Sequence, residues 1–238
     1  MTEADATLAN ALMSDGVVLN PSIAILCPSR GRPDGFWQMV ASARSLADGP
    51  IEILCYLDED DPRRDEYYGE GVRFFTGPRI NLGPAYEFLR KETNADLVMM
   101  GADDIVFRDA HWDTMVKGET PEDLVCVISF NDGAPVNHTE NGHPFIGRRF
   151  IEALGSITNP NLGHSMIDNW VVNIARAAKR FKRLEMLVEH VHPKFGKGVW
   201  DQTYHDNGPL QKKTDGDTYF AQIKSIENEA RKVTASCR

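Results

Sequence analysis

At 238 residues, with 42% hydrophobic and 26% charged side chains, the chain is long and apolar enough for one layered core with a subsidiary lobe, and its composition excludes a disordered protein. A formal net charge of -9 sets the molecule as a whole against nucleic acid and anionic membrane, so a polyanionic partner has to be met by a local basic patch. The N-terminus lacks a basic region followed by an apolar core, no run of about 18 apolar residues occurs, and Cys27, Cys55, Cys126 and Cys237 suit neither a zinc site nor a disulfide framework; secretion and membrane spanning are not indicated, and a reducing cytoplasm is expected.

Residues 1 to 16 read as a polar, alanine-rich leader with at most one loose helical turn. Ile23 to Cys27 has the continuous apolar character of a buried strand that Pro28 ends. The loop Ser29-Arg30-Gly31-Arg32-Pro33 then leads into a helix with Phe36, Met39, Val40, Ala43 and Leu46 on one face. A second strand, Ile51 to Leu57, stops in Asp58-Glu59-Asp60-Asp61-Pro62, and a third, Val72 to Thr76, precedes the turn Gly77-Pro78. Pro84 suits the first turn of a helix through Leu89, and the strand Asp96 to Met100 runs into Gly101-Ala102-Asp103-Asp104.

Alternating strands and helices over residues 17 to 110 predict a mostly parallel α/β sheet, whose ligands collect beyond the carboxyl ends of the strands. The later order is less regular. It comprises a strand at Val125 to Ser129, a loop rich in Asn, Gly, Pro and His, and a helix from Arg148 capped by Gly155. An amphipathic helix near residues 165 to 180, a strand from Leu184 to His192, and a last helix from Thr214 follow; the last has Asp217 in a capping box and Tyr219, Ile223, Ile226, Ala230 and Val233 on its apolar face.

Adjacent carboxylates at the end of an apolar strand need solvent, hydrogen bonds or a cation. Asp103 and Asp104 therefore read either as a solvated loop start or as ligands of a hard cation such as Mg2+ or Mn2+, which bridges nucleotide phosphates to carboxylate oxygen. Arg30 and Arg32 flank a glycine in the loop after the first strand, where a guanidinium fork suits phosphate, and Asp58 stands where the second strand ends, within reach of a base or ribose. The period of two puts Met186, Val188, His190 and His192 on one strand face, so one histidine completes a mixed Asp/His shell or serves a structural hydrogen bond. Asp168, with Asn169 and Trp170, opens an apolar helix and reads as a complement to the helix dipole or as a general base. Lys179, Arg180, Lys182 and Arg183 form a basic run that reads first as a solvated helix end, where cations suit the helix dipole, and only second as a patch for a polyanion.

Taken in order, these pieces resemble the GT-A glycosyltransferase fold, and especially compact family 2 nucleotide-sugar enzymes, over about residues 21 to 206. Ile23 to Pro33 is similar to the family's first strand and nucleotide-binding loop, Tyr56-Leu57-Asp58 to the second strand with its base-contacting aspartate, and Asn81-Leu82-Gly83-Pro84-Ala85 to the loop that closes the donor pocket. Gly101-Ala102-Asp103-Asp104 resembles the DXD motif, with Gly101 where the family has a ribose-contacting aspartate. The resemblance implies a single domain with a nucleotide-sugar half (17 to 110), an acceptor and catalytic half (111 to 213) and a C-terminal helix (214 to 238). It implies donor contacts at Pro28, Ser29, Arg30, Arg32, Asp58, Asn81, Gly83 and Asp103, a metal held by Asp103, Asp104 and His192, and Asp168 as the base of an inverting transfer.

Mn2+ or Mg2+ and a nucleotide-sugar donor, a UDP-sugar first, are the implied cofactors. The implied acceptor is a saccharide or, as in phage-type enzymes acting in the host cytoplasm, a hydroxymethylated pyrimidine in DNA, and residues 131 to 147 are expected to line its site. Lys194 and Lys197, with the 179 to 183 run, are the local positive charge that a DNA acceptor requires. The competing classes are a sugar nucleotidyltransferase, whose glycine-rich loop with a downstream lysine is not found after Leu26, and a noncatalytic carbohydrate- or nucleotide-binding module, which has no need of Asp103, Asp168 and His192 together. Oligomeric state is left open.

Overall fold

The computed structural model describes residues 20–134, 142–206 and 209–237. The leader at 1 to 16 lies outside the described residues, as does the middle of the expected acceptor loop, 135–141.

The fold is α/β, and one eight-stranded sheet runs through it in the order β3-β2-β1-β4-β7-β6-β8-β5. Its first half is parallel: β1 (Ile23–Ser29) lies between β2 (Glu52–Asp58) and β4 (Leu97–Met100), and β3 (Arg73–Gly77) pairs outside β2. β1, β2 and β4 are largely continuous apolar runs because helices cover both faces, whereas β3 is a half-exposed edge strand. Alternate residues divide between two cores: Ala24, Leu26, Leu54, Val98 and Met100 on one face, and Ile23, Ile25, Cys27, Ile53, Leu97 and Met99 on the other. α1 (Pro33–Leu46) closes the second face together with Trp112 and Val116 of a later short helix, while α2 (Leu82–Lys91) and the helices of the C-terminal half close the first.

Beyond β4 the parallel order breaks. β5 (Ile105–Phe107) and α3 (Trp112–Gly118), neither anticipated from the sequence, lead to β6 (Val127–Asn131), two residues later than expected. β7 (Phe145–Gly147), a further unanticipated strand, pairs antiparallel with both β4 and β6. α4 (Arg148–Leu154) ends as expected at Gly155, whose φ of 79° supplies the left-handed cap. α5 (Ile167–Ala177) buries Ile167, Trp170, Val171, Ile174 and Ala175. β8 (Phe181–His190) runs parallel to β6 in its first part and antiparallel to β5 at its end, with Leu184, Met186 and Val188 inward. It stops at His190, so His192 lies beyond the strand.

The short α6 (Gln202–Asp206) follows, and the single last helix expected from Thr214 is two: α7 (Pro209–Ala221) and α8 (Ser225–Ala235). The break falls at Gln222, whose side chain accepts a hydrogen bond from Asn159 at 2.7 Å, and it turns Ile223 outward to 48% exposure. Tyr219, Ile226, Ala230 and Val233 remain buried as expected. Asp217 is no cap, because the helix begins five residues before Thr214.

The buried acid of this helix is Asp215, whose carboxylate accepts the backbone N–H groups of Gly163, His164 and Ser165 at 3.0, 2.9 and 2.7 Å. Burial raises its pKa, but these donors outweigh burial and hold it below the usual range. Asp215→Ala should therefore cost about 2 kcal/mol in urea denaturation at neutral pH. Because the folded pKa is depressed, the wild-type advantage should be complete above about pH 4 and shrink as pH falls through the folded value.

Candidate active site

β1 delivers Ser29, Arg30 and Arg32 into a loop that other elements hold still. Gly31 takes a φ of 70°, a conformation glycine adopts without strain, and its N–H donates to Asp61 at 2.8 Å. The Arg32 N–H donates to the Tyr67 hydroxyl at 2.6 Å, Tyr67 lies 3.0 Å from Ser29 Oγ, and Ser29 donates to Asp103 Oδ2 at 2.5 Å. With the Ser29 proton directed at Asp103, the Tyr67 proton must point to Ser29, which orders the whole chain of hydroxyls. Both arginines hold carboxylates: Arg30 pairs with Asp58 at 3.1 Å and Asp60 at 2.5 Å, and Arg32 grips Asp201 through Nε and Nη2 at 2.6 and 2.7 Å. Arg32 also lies 3.9 Å over the Tyr204 ring and 3.3 Å from Asp103.

Asp103 and Asp104 share Arg32, whose Nη1 lies 3.3 Å from Asp103 Oδ1 and 3.8 Å from Asp104 Oδ2, and otherwise have different partners. Asp103, 7% exposed, turns toward the β1 loop; burial raises its pKa against the pull of Arg32. α1 crosses so close above it that a Cβ on Gly35 would sit 2.3 Å from the Asp103 carbonyl oxygen. Asp104 turns toward β8, because Ile105 pairs with His190 and the Val191 N–H donates to the Asp104 carbonyl at 2.7 Å. Its Oδ2 lies 3.2 Å from His190 Nε2 and accepts the Tyr204 hydroxyl at 2.8 Å. Burial alone would raise the Asp104 pKa, but His190, His143 and Tyr204 outweigh it and hold it low.

His143 completes the group. The Met100 N–H donates to the Pro144 carbonyl at 3.0 Å as β7 meets β4, and this brings His143 Nδ1 within 3.0 Å of the Met100 carbonyl. A carbonyl only accepts, so Nδ1 carries the proton and Nε2 keeps its lone pair. Burial, with the nearby His190, pushes the His143 pKa down to about 4, leaving it neutral. One oxygen of Asp104 and one nitrogen each of His143 and His190 all lie within 4.8 Å of one another, the only such metal-capable group among the described residues. A carboxylate with two neutral-capable imidazoles fits a divalent transition ion such as Mn2+. His192 is engaged otherwise: its Nδ1 accepts the Lys194 N–H at 3.0 Å, which puts the neutral ring's proton on Nε2, and its ring packs on Phe195, Trp200 and Tyr204.

This group sits where two cavities meet. A cleft of about 830 Å3 is lined by Pro28, Ser29, Arg30, Arg32, Asp58, Asn81, Asp103, Asp104 and His192 among others. A smaller cavity of about 310 Å3 is lined by Asp168, Asn169, Asp132 and Phe195, and His143 and His190 belong to both walls. Two residues on the smaller wall, His143 and Met166, have left-handed backbones at φ 69° and 65°, strain that packing must hold and that gathers at functional sites.

Gly83 is set back from both cavities; its N–H donates to the Gly163 carbonyl and a Cβ there would lie 2.8 Å from the Leu162 carbonyl oxygen, so it serves close packing. Gly101 has a similar reason: a Cβ would sit 2.5 Å from Ile25 Cγ2 and 3.1 Å from the Leu26 carbonyl oxygen. The basic run stands at the far end of β8, about 23 Å from His190 by strand rise, with Arg180 paired to Asp123 and Lys182 to Glu119. Lys197 pairs with Glu189 at 2.6 Å. Tyr67 and Tyr204 were missed from sequence, while Asp132 and His143 fall within the 131 to 147 stretch expected to line the acceptor site without having been singled out in it.

No family model and no curated protein matches the sequence. Solved structures do resemble it. A mannosyltransferase from Pyrobaculum calidifontis, in complex with GDP-Man and Mn2+, aligns over 98% of this chain and 92% of its own, at 9% identity and a TM-score of 0.54. Glucosyl-3-phosphoglycerate synthase from Mycobacterium tuberculosis, in complex with Mg2+ and UDP, aligns over 92% and 83%, at 13% identity and a TM-score of 0.60. The same synthase with Mn2+, UDP-Glc and phosphoglyceric acid aligns over 89% and 80%, at 12% identity and a TM-score of 0.58. The chain has the GT-A glycosyltransferase fold.

Asp104→Ala and His190→Ala should each weaken Mn2+ binding in titration calorimetry by about tenfold or more, and His192→Ala by under about threefold. Equal losses in all three would return His192 to the ligand set. Gly101→Asp, although it writes the family's aspartate into the motif, should destabilise the fold by about 2 kcal/mol or more in thermal denaturation, through overpacking and a buried carboxylate.

Proposed function

We propose that this chain is a metal-dependent glycosyltransferase that moves a sugar from a nucleotide diphosphate sugar, with a UDP-sugar the first candidate, to a hydroxyl of a saccharide. The observation that carries this reading is the Asp104, His143 and His190 group at the junction of a large arginine-bearing cleft and a smaller cavity that holds an aspartate. The structurally similar proteins crystallised with nucleotide sugars and Mn2+ support it.

In this reading the larger cleft takes the donor. Mn2+ or Mg2+ bound by the three side chains supplies Lewis-acid stabilisation of the departing diphosphate. Arg30 and Arg32 exchange carboxylate partners for phosphate oxygens, while Asp103 keeps Ser29 and the loop in position. Asp58, whose pKa burial raises against the pull of Arg30, lies on the cleft wall within reach of a base or ribose. From the smaller cavity Asp168 accepts the proton of the attacking hydroxyl as the acceptor oxygen bonds to the anomeric carbon and the bond to the diphosphate breaks; attack from the opposite side inverts the anomer.

A saccharide is favoured over hydroxymethylated DNA because the basic run is remote from the cleft and Arg180, Lys182 and Lys197 are each paired with an acid. A DNA acceptor and a phage source would regain support if charge reversal at Lys179, Arg180, Lys182 and Arg183 abolished transfer to modified DNA.

UDP-glucose, GDP-mannose and related donors should release nucleoside diphosphate only with Mn2+ or Mg2+ present. Asp104→Ala and Asp168→Asn should each lower transfer by about a hundredfold or more. Metal-independent release by wild type would defeat the reading, and retention of the anomer, seen by NMR, would remove the base role of Asp168.

A further inference from the structure

Tyr204 touches the metal-capable group without belonging to it. Its hydroxyl donates to Asp104 Oδ2 at 2.8 Å, the oxygen that also lies 3.2 Å from His190 Nε2 and 3.8 Å from Arg32 Nη1. Tyr204 and Arg32 are unlike as partners of that oxygen. A phenol hydroxyl fixes the rotation of a carboxylate and leaves its charge intact, whereas a guanidinium closing on the same oxygen would neutralise the charge that a divalent cation needs.

Arg32 is kept from closing. Asp201 takes its Nε and Nη2 at 2.6 and 2.7 Å, Asp103 lies 3.3 Å from its Nη1, and the guanidinium rests 3.9 Å over the Tyr204 ring. The same neighbours set Tyr204. Its N–H donates to Asp201 Oδ1 at 3.2 Å, its ring packs on His192 and Trp200 with centroids 4.6 and 5.5 Å apart, and the hydroxyl of the preceding Thr203 donates to the Arg30 carbonyl at 3.0 Å. Val199 and Trp200, which lead into α6, are 78% and 55% exposed, so α6 is fastened by side chains to the β1 loop and to Asp104 rather than by burial of the chain before it.

We propose that Tyr204 is a positioning residue for the divalent ion: its hydroxyl holds Asp104 in place beside His143 and His190, and Asp201 secures that contact by occupying Arg32. The inference rests on the metal reading of those three side chains and gives Tyr204 no chemistry on the substrate. A diphosphate that takes the Arg32 fork replaces Asp201 in keeping the guanidinium off Asp104, so donor and hydroxyl act in the same direction.

Electron paramagnetic resonance of free Mn2+, titrated into the full-length protein without nucleotide, tests this directly. Tyr204→Phe, which keeps the ring, should weaken Mn2+ binding by about tenfold or more. Asp201→Asn, which keeps an acceptor for the Tyr204 N–H and removes the charge that holds Arg32, should weaken it by about threefold or more. Calorimetry with UDP and with GDP at saturating Mn2+ should return Tyr204→Phe to within about threefold of wild type, because excess metal makes good a positioning defect and does not mend a damaged fold. Unchanged Mn2+ binding in either folded variant, or a nucleotide deficit that persists at saturating Mn2+, overturns the proposal. If Tyr204→Phe does not fold, Asp201→Asn decides alone. A wild type that binds no Mn2+ defeats this inference and the metal reading together; Mn2+ binding that falls in the variants while neither nucleotide binds the wild type upholds the positioning role and removes the donor reading.

Discussion

The antiparallel pairing of three residues of β5 with the end of β8 is the constraint on which the site depends. Ile105 opposite His190 brings Asp104 and His190, 86 positions apart, into contact, and the Val191 N–H bonded to the Asp104 carbonyl locks that register. A slip of one residue would turn His190 to the other face and replace it with Glu189 or Val191. β7 performs the same service for His143, since its pairing with β4 brings the imidazole to the Met100 carbonyl. Two short strands that bury little surface thus determine where three polar side chains meet.

Around that meeting point, charge is neutralised in advance. Asp103 is tied to Ser29 and Arg32, Asp104 to His190 and Tyr204, Arg32 to Asp201, and Arg30 to Asp58 and Asp60. Buried charges of this density are tolerable only when paired. The pairing also means that ligand phosphates and a metal enter by exchanging partners already in position, so the loops carrying Arg30 and Arg32 need little reordering. On the far side, Asp132 and Asp168 line the smaller cavity, whose described wall shares His143 and His190 with the cleft.

Much of the donor half was legible in the sequence because local signals carry it. Apolar runs in β1, β2 and β4 mark strands buried on both faces, Pro33 and Pro84 mark helix starts, and polar clusters after each strand mark the ligand edge. β5 and β7 were not legible, since three residues carry no period and owe their conformation to partners supplied by distant chain. The single last helix failed for a related reason: an amphipathic stripe continues across Gln222 in sequence, while the Asn159 contact and the turn divide it in space. Gly101 looked like a missing aspartate, yet the space a side chain would need belongs to Ile25 and Leu26.

By itself the sequence determined the fold class, the edge of the sheet where ligands collect, and a short list of acids, arginines and histidines worth testing, because hydrophobic period and residue chemistry are local properties. Only the tertiary structure decided that Asp103 and Asp104 share Arg32 yet differ in their other partners, that His190 and His143 rather than His192 stand with Asp104, and that Asp132 joins Asp168 in a second cavity. Those outcomes depend on strand register and on which lone pairs other bonds have already taken, and neither is written in residue spacing along the chain.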